Sequence, residues 1–310
     1  MIMNAVLILG LALLFDFALG DPPDTAHPVS WMGSVISSLE RRRPGGGPRL
    51  QFAYGVMMTV VTVALFAVPS YYLLAYLKDA NLVAQVIIGA AILKLTFSYR
   101  GLRSTALKIK ELLRKESLNE VRFELRALVS RDTGSLPRPL LVSAAVESVA
   151  EGACDSFVAP LFYFMLFGVP GAVAYRVVNT LDSRIGYHGQ YEYLGKFASR
   201  LDDGLNFIPA RLTTLLLVLA AACCRRGGRR SWRVARSDHA KTESPNAGWP
   251  MAAAAGALNV QLEKVGHYKL GRAGVPLTTE TIDGSLGLLQ GATLSWIVVC
   301  FATEVIRFVY

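Results

Sequence analysis

Apolar residues run along this chain in long stretches separated by polar segments. Residues 5–19 (AVLILGLALLFDFAL) predict a short retained helix, with Asp16 interrupting its last turn. Residues 52–77 exceed the about 20 residues that cross a bilayer as a helix. Tyr71, Tyr72 and Tyr76 mark an aromatic belt at its far end. Residues 82–97 return, and Lys94 near their end is expected to snorkel to the surface. Over residues 98–138 the pattern changes. Arg100, Arg103, Lys108, Lys110, Arg114 and Lys115 alternate with Leu102, Leu107, Ile109, Leu112 and Leu113, which predicts an amphipathic helix pair. Gly134 stops it, and Pro137 and Pro139 delay resumption. Residues 139–178 are apolar but interrupted by Pro160, Gly168, Pro170 and Gly171. A broken helix is tolerated at membrane depth only where it lines protein or a water-filled cavity. Residues 179–206 are polar, while 207–223 and 286–306 are apolar again. Residues 224–285 form the largest soluble segment, with an alanine-rich helix after Ser244, Pro245 and Asn246, whose start offers exposed amides to an anion.

The pattern predicts an all-α polytopic integral membrane protein with about four to six membrane-embedded helical elements. Some are broken or re-entrant, and amphipathic cytoplasmic helices accompany them. Residues 1–310 are expected to form one membrane-embedded catalytic domain. Its appendages are the amphipathic cytoplasmic insert 98–138 and the basic soluble loop 224–285 with its Ala-rich helix. Composition agrees: 53% of the 310 residues are hydrophobic and 18% charged, against roughly 25% charged in soluble domains. The net charge of +9 is concentrated in a few loops, which points to cytoplasmic loops and anionic substrates before nucleic acid. The basic loops 41–49, 98–138 and 224–236 all favour the cytoplasm, and the pattern alone leaves the parity of crossings open. Four cysteines, without C-x-x-C spacing, read as reduced and packed.

The chemistry begins at Glu147, Glu151 and Asp155. Their spacing of four places three carboxylates in one helical stripe between LLVSAAV and FVAPLFYFMLF. Carboxylates in apolar surroundings repel each other and are costly to bury, so a divalent metal or a cationic substrate group is the sharper reading. A solvent-facing stripe on an interfacial helix is the plainer one. Asp202, Asp203 and Asn206 present acid and amide on one further helical face. In GDPPDTAHPVSWMG, residues 20–33, Asp21, Asp24 and His27 face a membrane interface or cap the next helix. The linker RRRPGGGPR, 41–49, is a weak candidate for a phosphate cradle. No Lys-Ser or Lys-Thr follows it, and Pro48 is expected to block a smooth entry into a helix. Walker, H-E-x-x-H, G-x-S-x-G and Rossmann signatures are absent. So is the D-G-x-x-A-R pattern of a CDP-alcohol phosphotransferase.

Six segments together resemble the adenosylcobinamide-phosphate synthase family. They are GDPPDTAHPVSWMG, RDT at 131–133, VESVAEGACDSFVAPLFY at 146–163, AYRVVNTLDSRIGY at 174–187, ASRLDDGLNFIPARLT at 198–213 and SPNAGWPMAAAAGAL at 244–258. One departure is Gly152, where the family usually carries Asn after Ala-Glu. The resemblance implies a multi-pass cell-membrane enzyme with its active site on the cytoplasmic side. It would join adenosylcobyric acid to aminopropanol phosphate, or a related amino-alcohol phosphate, by an amide bond. ATP is the implied co-substrate and Mg2+ the implied cofactor, with later membrane enzymes of the pathway as further partners and no nucleic acid. On that reading Glu147, Glu151 and Asp155 hold magnesium, and Asp155, Glu151, Asp202 and Asp203 are the catalytic acids and bases. Arg131, Arg200 and Arg211 meet phosphate groups. Asp202, Asp203 and Asn206 are a second candidate group for the magnesium, while Asn179 and Asp182 orient the amine or the corrin amides, with Asn206 and His27 in the substrate pocket. Arg131 paired with Asp132 and Arg211 as an interface anchor are the structural alternatives. A transporter or an assembly scaffold would share the broken helices and buried acids.

Overall fold

The computed structural model describes all residues except 1, 24, 26, 127, 130 and 310, with backbone alone for 2, 3, 308 and 309. Asp24, expected in the polar turn, thus lies outside the described residues. The chain is all-α and polytopic, with five helices among the described residues long and apolar enough to cross a membrane. It divides into two compact units, where one domain over 1–310 was expected from the sequence.

The first unit comprises residues 1–98, 159–205 and 300–310. It holds α1 (Ile2–Leu19), α2 (Pro28–Arg41), α3 (Pro48–Ala80) and α4 (Leu82–Lys94). Three further helices start or finish in it. It takes α8 (Ala159–Ile185), the start of α9 (Lys196–Cys223) and the end of α12 (Thr279–Val309). Met32 and Ile36 of α2, Met58 of α3, and Val177, Leu181 and Ile185 of α8 form a buried cluster. The four-residue repeat on α8 is what one helical face requires. At Gly55 a Cβ would lie 2.0 Å from the Leu194 carbonyl oxygen, so glycine is what lets that segment touch α3. Pro48 does not block entry into α3. It occupies the first turn, where its missing N–H has no helical partner to lose. The polar turn 20–33 is shorter than its sequence predicts, because His27 caps a helix that starts at Pro28.

The interruption of the apolar stretch 139–178 is local. α8 bends at Gly168 (φ 69°, ψ −164°), a conformation essentially reserved for glycine. In the turn before the bend, Arg307 donates to the Met165 carbonyl. Pro209 lies inside α9, where its ring removes the usual donor to the Leu205 carbonyl. The Tyr163 hydroxyl donates to that oxygen instead, at 2.8 Å.

The second unit comprises residues 99–158 and 206–299. It contains the amphipathic pair α5 (Tyr99–Arg114) and α6 (Leu118–Leu125), then α7 (Arg138–Ala153), which leads into a π-type turn at Cys154–Val158. α10 (Gly228–Asp238) and α11 (Gly248–Leu258) follow, then a hairpin of β1 (Gln261–Lys264) and β2 (Tyr268–Gly271). Leu262 pairs with Leu270 in the hairpin register, and both are fully buried. The hairpin was not expected from sequence. Cys154 and Cys300 are buried, but Cys223 and Cys224 are exposed rather than packed.

Candidate functional site

Glu147 lies on α7, buried to 3% exposure. Its Oε2 accepts from Arg131 Nη2 at 2.6 Å and from the Tyr268 hydroxyl at 2.8 Å. Its Oε1 accepts from Ser143 Oγ at 2.6 Å. Ser143 Oγ in turn accepts from the Glu263 N–H at 2.8 Å, and Arg131 Nη1 donates to the Glu263 carbonyl at 3.1 Å. One buried carboxylate is thus fully satisfied, and the same network fastens the hairpin to α7. Burial, and then the Glu147 carboxylate, push the Tyr268 phenol far above its usual value, so it stays a donor. Arg131 does not pair with Asp132. Asp132 accepts the Gly134 N–H at 2.9 Å, closing a local turn after the helix pair.

The three-carboxylate stripe is divided by its surroundings. Glu147 is buried, Glu151 exposed and Asp155 half-buried, and the widened turn at Cys154–Val158 takes Asp155 off the regular helical spacing. Among the described residues no group of three or more His, Cys, Asp or Glu is arranged to hold a metal ion. Glu147 has its donors already, so Glu147, Glu151 and Asp155 do not fit a shared resident magnesium site. Gly152 sits between them. A Cβ there would meet the Leu102 methyls at 2.9 and 3.0 Å, so the glycine lets α5 approach α7.

Arg211 of α9 anchors a second group in this unit. Its Nη1 donates to Asn246 Oδ1 at 2.6 Å and to the Phe207 carbonyl at 2.8 Å. The guanidinium lies 3.8 Å from the Phe207 ring centroid and 5.2 Å from that of Trp249. Trp249 stacks on His239 at 3.9 Å. Burial, then the Arg211 charge, hold His239 below its usual range, so the imidazole is neutral near pH 7. Asn246 answers Arg211 instead of capping α11. Ser244 Oγ accepts the Asn246 and Ala247 N–H groups at 3.2 and 3.3 Å, so those amides are already occupied. Asn206, buried, faces Cys154 with Sγ 3.9 Å from its Oδ1.

In the first unit, Asn179 of α8 donates to Asp202 of α9 at 3.4 Å and accepts from Arg176 at 3.4 Å. Asp182 hydrogen-bonds Ser199 and lies within electrostatic range of Asp203. Asn179, Asp182, Asp202 and Asp203 are therefore brought together, whereas Arg200 is exposed on α9. His27 Nδ1 accepts the Val29 N–H at 3.2 Å, which makes it the N-cap of α2. A buried ion group next to the polar turn was not expected from sequence. Lys94 is 4% exposed and does not snorkel. Its ammonium lies 2.8 Å from Asp16 and 2.5 Å from Asp21. Burial raises the Asp21 carboxyl, but hydrogen bonds from Lys94 and Ser98 outweigh it and hold it below its usual value. Asp16 interrupting an apolar run was the available signal.

The family model described as CobD/Cbib protein matches residues 9–288. The chain belongs to the CobD/Cbib family. It is 54% identical over 297 residues to the cobalamin biosynthesis protein CobD of Dehalococcoides mccartyi (strain CBDB1), covering 96% of each chain. It is 43% identical over 270 residues to the probable cobalamin biosynthesis protein CobD of Methanothermobacter thermautotrophicus, covering 87% of this chain and 88% of that one. It is 40% identical over 262 residues to the probable cobalamin biosynthesis protein CobD of Pyrococcus furiosus, covering 84% and 86%. No solved structure matches the chain.

Proposed function

We propose that this CobD/Cbib family member acts in cobalamin biosynthesis as an ATP-dependent amide-forming ligase, joining adenosylcobyric acid to aminopropanol phosphate to give adenosylcobinamide phosphate. The observation that carries the reading is the family match over residues 9–288, with near-complete coverage of relatives named for cobalamin biosynthesis. The grouping of acids and amides on α8 and α9 is compatible with it.

A carboxylate does not condense with an amine in neutral water. In the proposed sequence the carboxylate oxygen attacks the γ-phosphorus of ATP, and ADP leaves. The amine then attacks the acyl carbon, phosphate leaves, and the amine's surplus proton passes to a carboxylate base. Such phosphoryl transfer depends mainly on positioning and charge neutralisation. Bound magnesium would neutralise phosphate charge, and one or two protein carboxylates would be enough to hold it alongside the nucleotide. Glu151 and Asp155, unlike Glu147, are the carboxylates of the α7 segment assigned to that task. In the first unit Asp202 and Asp203 are assigned the proton, with Asn179 and Asp182 aligning the amine. Arg211 is assigned a phosphate, since a guanidinium matches it bidentately.

The test uses membranes containing the full chain, the two substrates and ATP, with product read by mass. One ADP per amide is expected. Asp203→Asn should lower the rate by about 10²–10⁴-fold, the usual worth of a positioned proton carrier, and Asp155→Asn should lower it by raising the magnesium concentration needed for half-maximal rate. Product formed without ATP consumption would remove the ligase reading. Near-normal rates in either variant would remove that residue from the site.

A further inference from the structure

We propose that the outward face of α10 is a binding surface for the anionic headgroups of membrane phospholipids. Six arginines and no acidic residue fall between Arg225 and Arg236. On α10, Arg229, Trp232, Arg233 and Arg236 recur at the i, i+3, i+4, i+7 spacing that defines one helical face. All four are exposed. The opposite face, with Ser231 and Ala235 buried, packs on α11, where Ser231 Oγ donates to the Ala253 carbonyl at 2.8 Å. The remaining arginine of the helix has a structural task. Arg230 donates to the Gly256 and Ala257 carbonyls at 2.6 and 3.1 Å, closing the C-terminal end of α11.

The outward arginines have no such occupation. The one carboxylate on the helix, Asp238, is turned inward to Lys241 and the Gly271 N–H. Burial raises its carboxyl, but hydrogen bonds from Lys241 and the Gly271 N–H outweigh that and keep it ionised. Among the described residues, Arg229, Arg233 and Arg236 join no ion pair.

Position supplies the occupant. α10 follows α9, which is long and apolar enough to cross a membrane, after a four-residue turn at 224–227. Four residues reach at most about 14 Å, so α10 begins close to where α9 leaves the hydrocarbon. At that depth an amphipathic helix with guanidiniums and an indole on one face meets lipid headgroups, and each basic residue near an anionic surface adds attraction. The indole of Trp232 is suited to the interface between headgroup and acyl chain. This surface is independent of the proposed ligase reaction.

The test measures retention of phosphatidylglycerol and of phosphatidylcholine by the purified full chain, by native mass spectrometry and by titration of labelled lipid. Wild type should prefer phosphatidylglycerol. The triple variant Arg229→Gln, Arg233→Gln, Arg236→Gln should lose that preference by on the order of a hundred-fold, at roughly five-fold per charge. Added salt should weaken the wild type more than the variant. Arg230→Gln should loosen the α10–α11 pair yet keep most of the lipid preference, which separates unfolding from loss of charge. Unchanged preference in the triple variant would overturn the proposal. So would equal retention of phosphatidylcholine, or displacement of the lipid by inorganic phosphate at matched ionic strength, which would mark a soluble-anion site instead.

Discussion

Glu147 shows what a single residue can and cannot reveal. Its burial among apolar neighbours is visible in sequence, and so is the need for a positive partner. Which partner is not. Arg131 lies 16 positions away and Tyr268 lies 121 away, and only the fold brings both to one oxygen. Removing one member of a buried pair leaves the other charge without compensation. Arg131→Met should therefore cost about 3–5 kcal/mol in unfolding of the purified chain. Tyr268→Phe removes one of three donors and should cost about 1.5–3 kcal/mol. Wild-type stability in Arg131→Met would mean that the pair contributes nothing. The tyrosine effect carries a pH signature. Burial, followed by the Glu147 charge, raises the folded phenol far above its usual value, while in the unfolded chain it ionises near about pH 10. Its contribution is complete below that pH and declines as pH rises above it. The stability gap between wild type and Tyr268→Phe should accordingly shrink in alkaline solution.

At the scale of elements, the interruptions are where sequence and structure met most closely. Pro160, Gly168, Pro170 and Gly171 all announced a break, and the fold spends it at Gly168. A Cβ there would meet only Pro170 Cδ at 3.8 Å, so space is not the constraint; the backbone angle is. Gly168→Ala should cost about 1–3 kcal/mol, read as a lowered melting temperature of the detergent-solubilised chain. A variant as stable as wild type would show that α8 straightens without loss. The acidic stripe is less regular than its spacing implies, for a related reason. A spacing of four implies one face only while the helix keeps its regular turn, and the π-type turn at Cys154–Val158 breaks that rule within the stripe. The hairpin was legible in principle: Leu262 and Leu270 flank Gly266, whose φ is 77°. Its strands are short and mostly polar, so local pattern carried little weight against a loop.

For the whole molecule, the sidedness of the basic segments is a prediction. One crossing each for the candidate spans Pro48–Ala80, Leu82–Arg114, Arg138–Ile185 and Lys196–Cys223 would put the basic segments 41–49, 115–137 and 224–236 on one side. The positive-inside rule expects that side to be the cytoplasm. Trypsin added to inverted vesicles should cut within both 41–49 and 224–236, and trypsin outside right-side-out vesicles should cut neither. Cleavage of the two segments from opposite faces would break the count. The sequence by itself determined the class of the molecule, its membrane residence and its family. Long apolar runs, clustered arginines and ordered motifs are local properties that survive without coordinates. Only the tertiary structure decided which charges neutralise one another, which face of α10 stays bare, and that Lys94 turns inward to Asp16 and Asp21. Those outcomes depend on distances between residues remote in the chain, and linear spacing does not encode them.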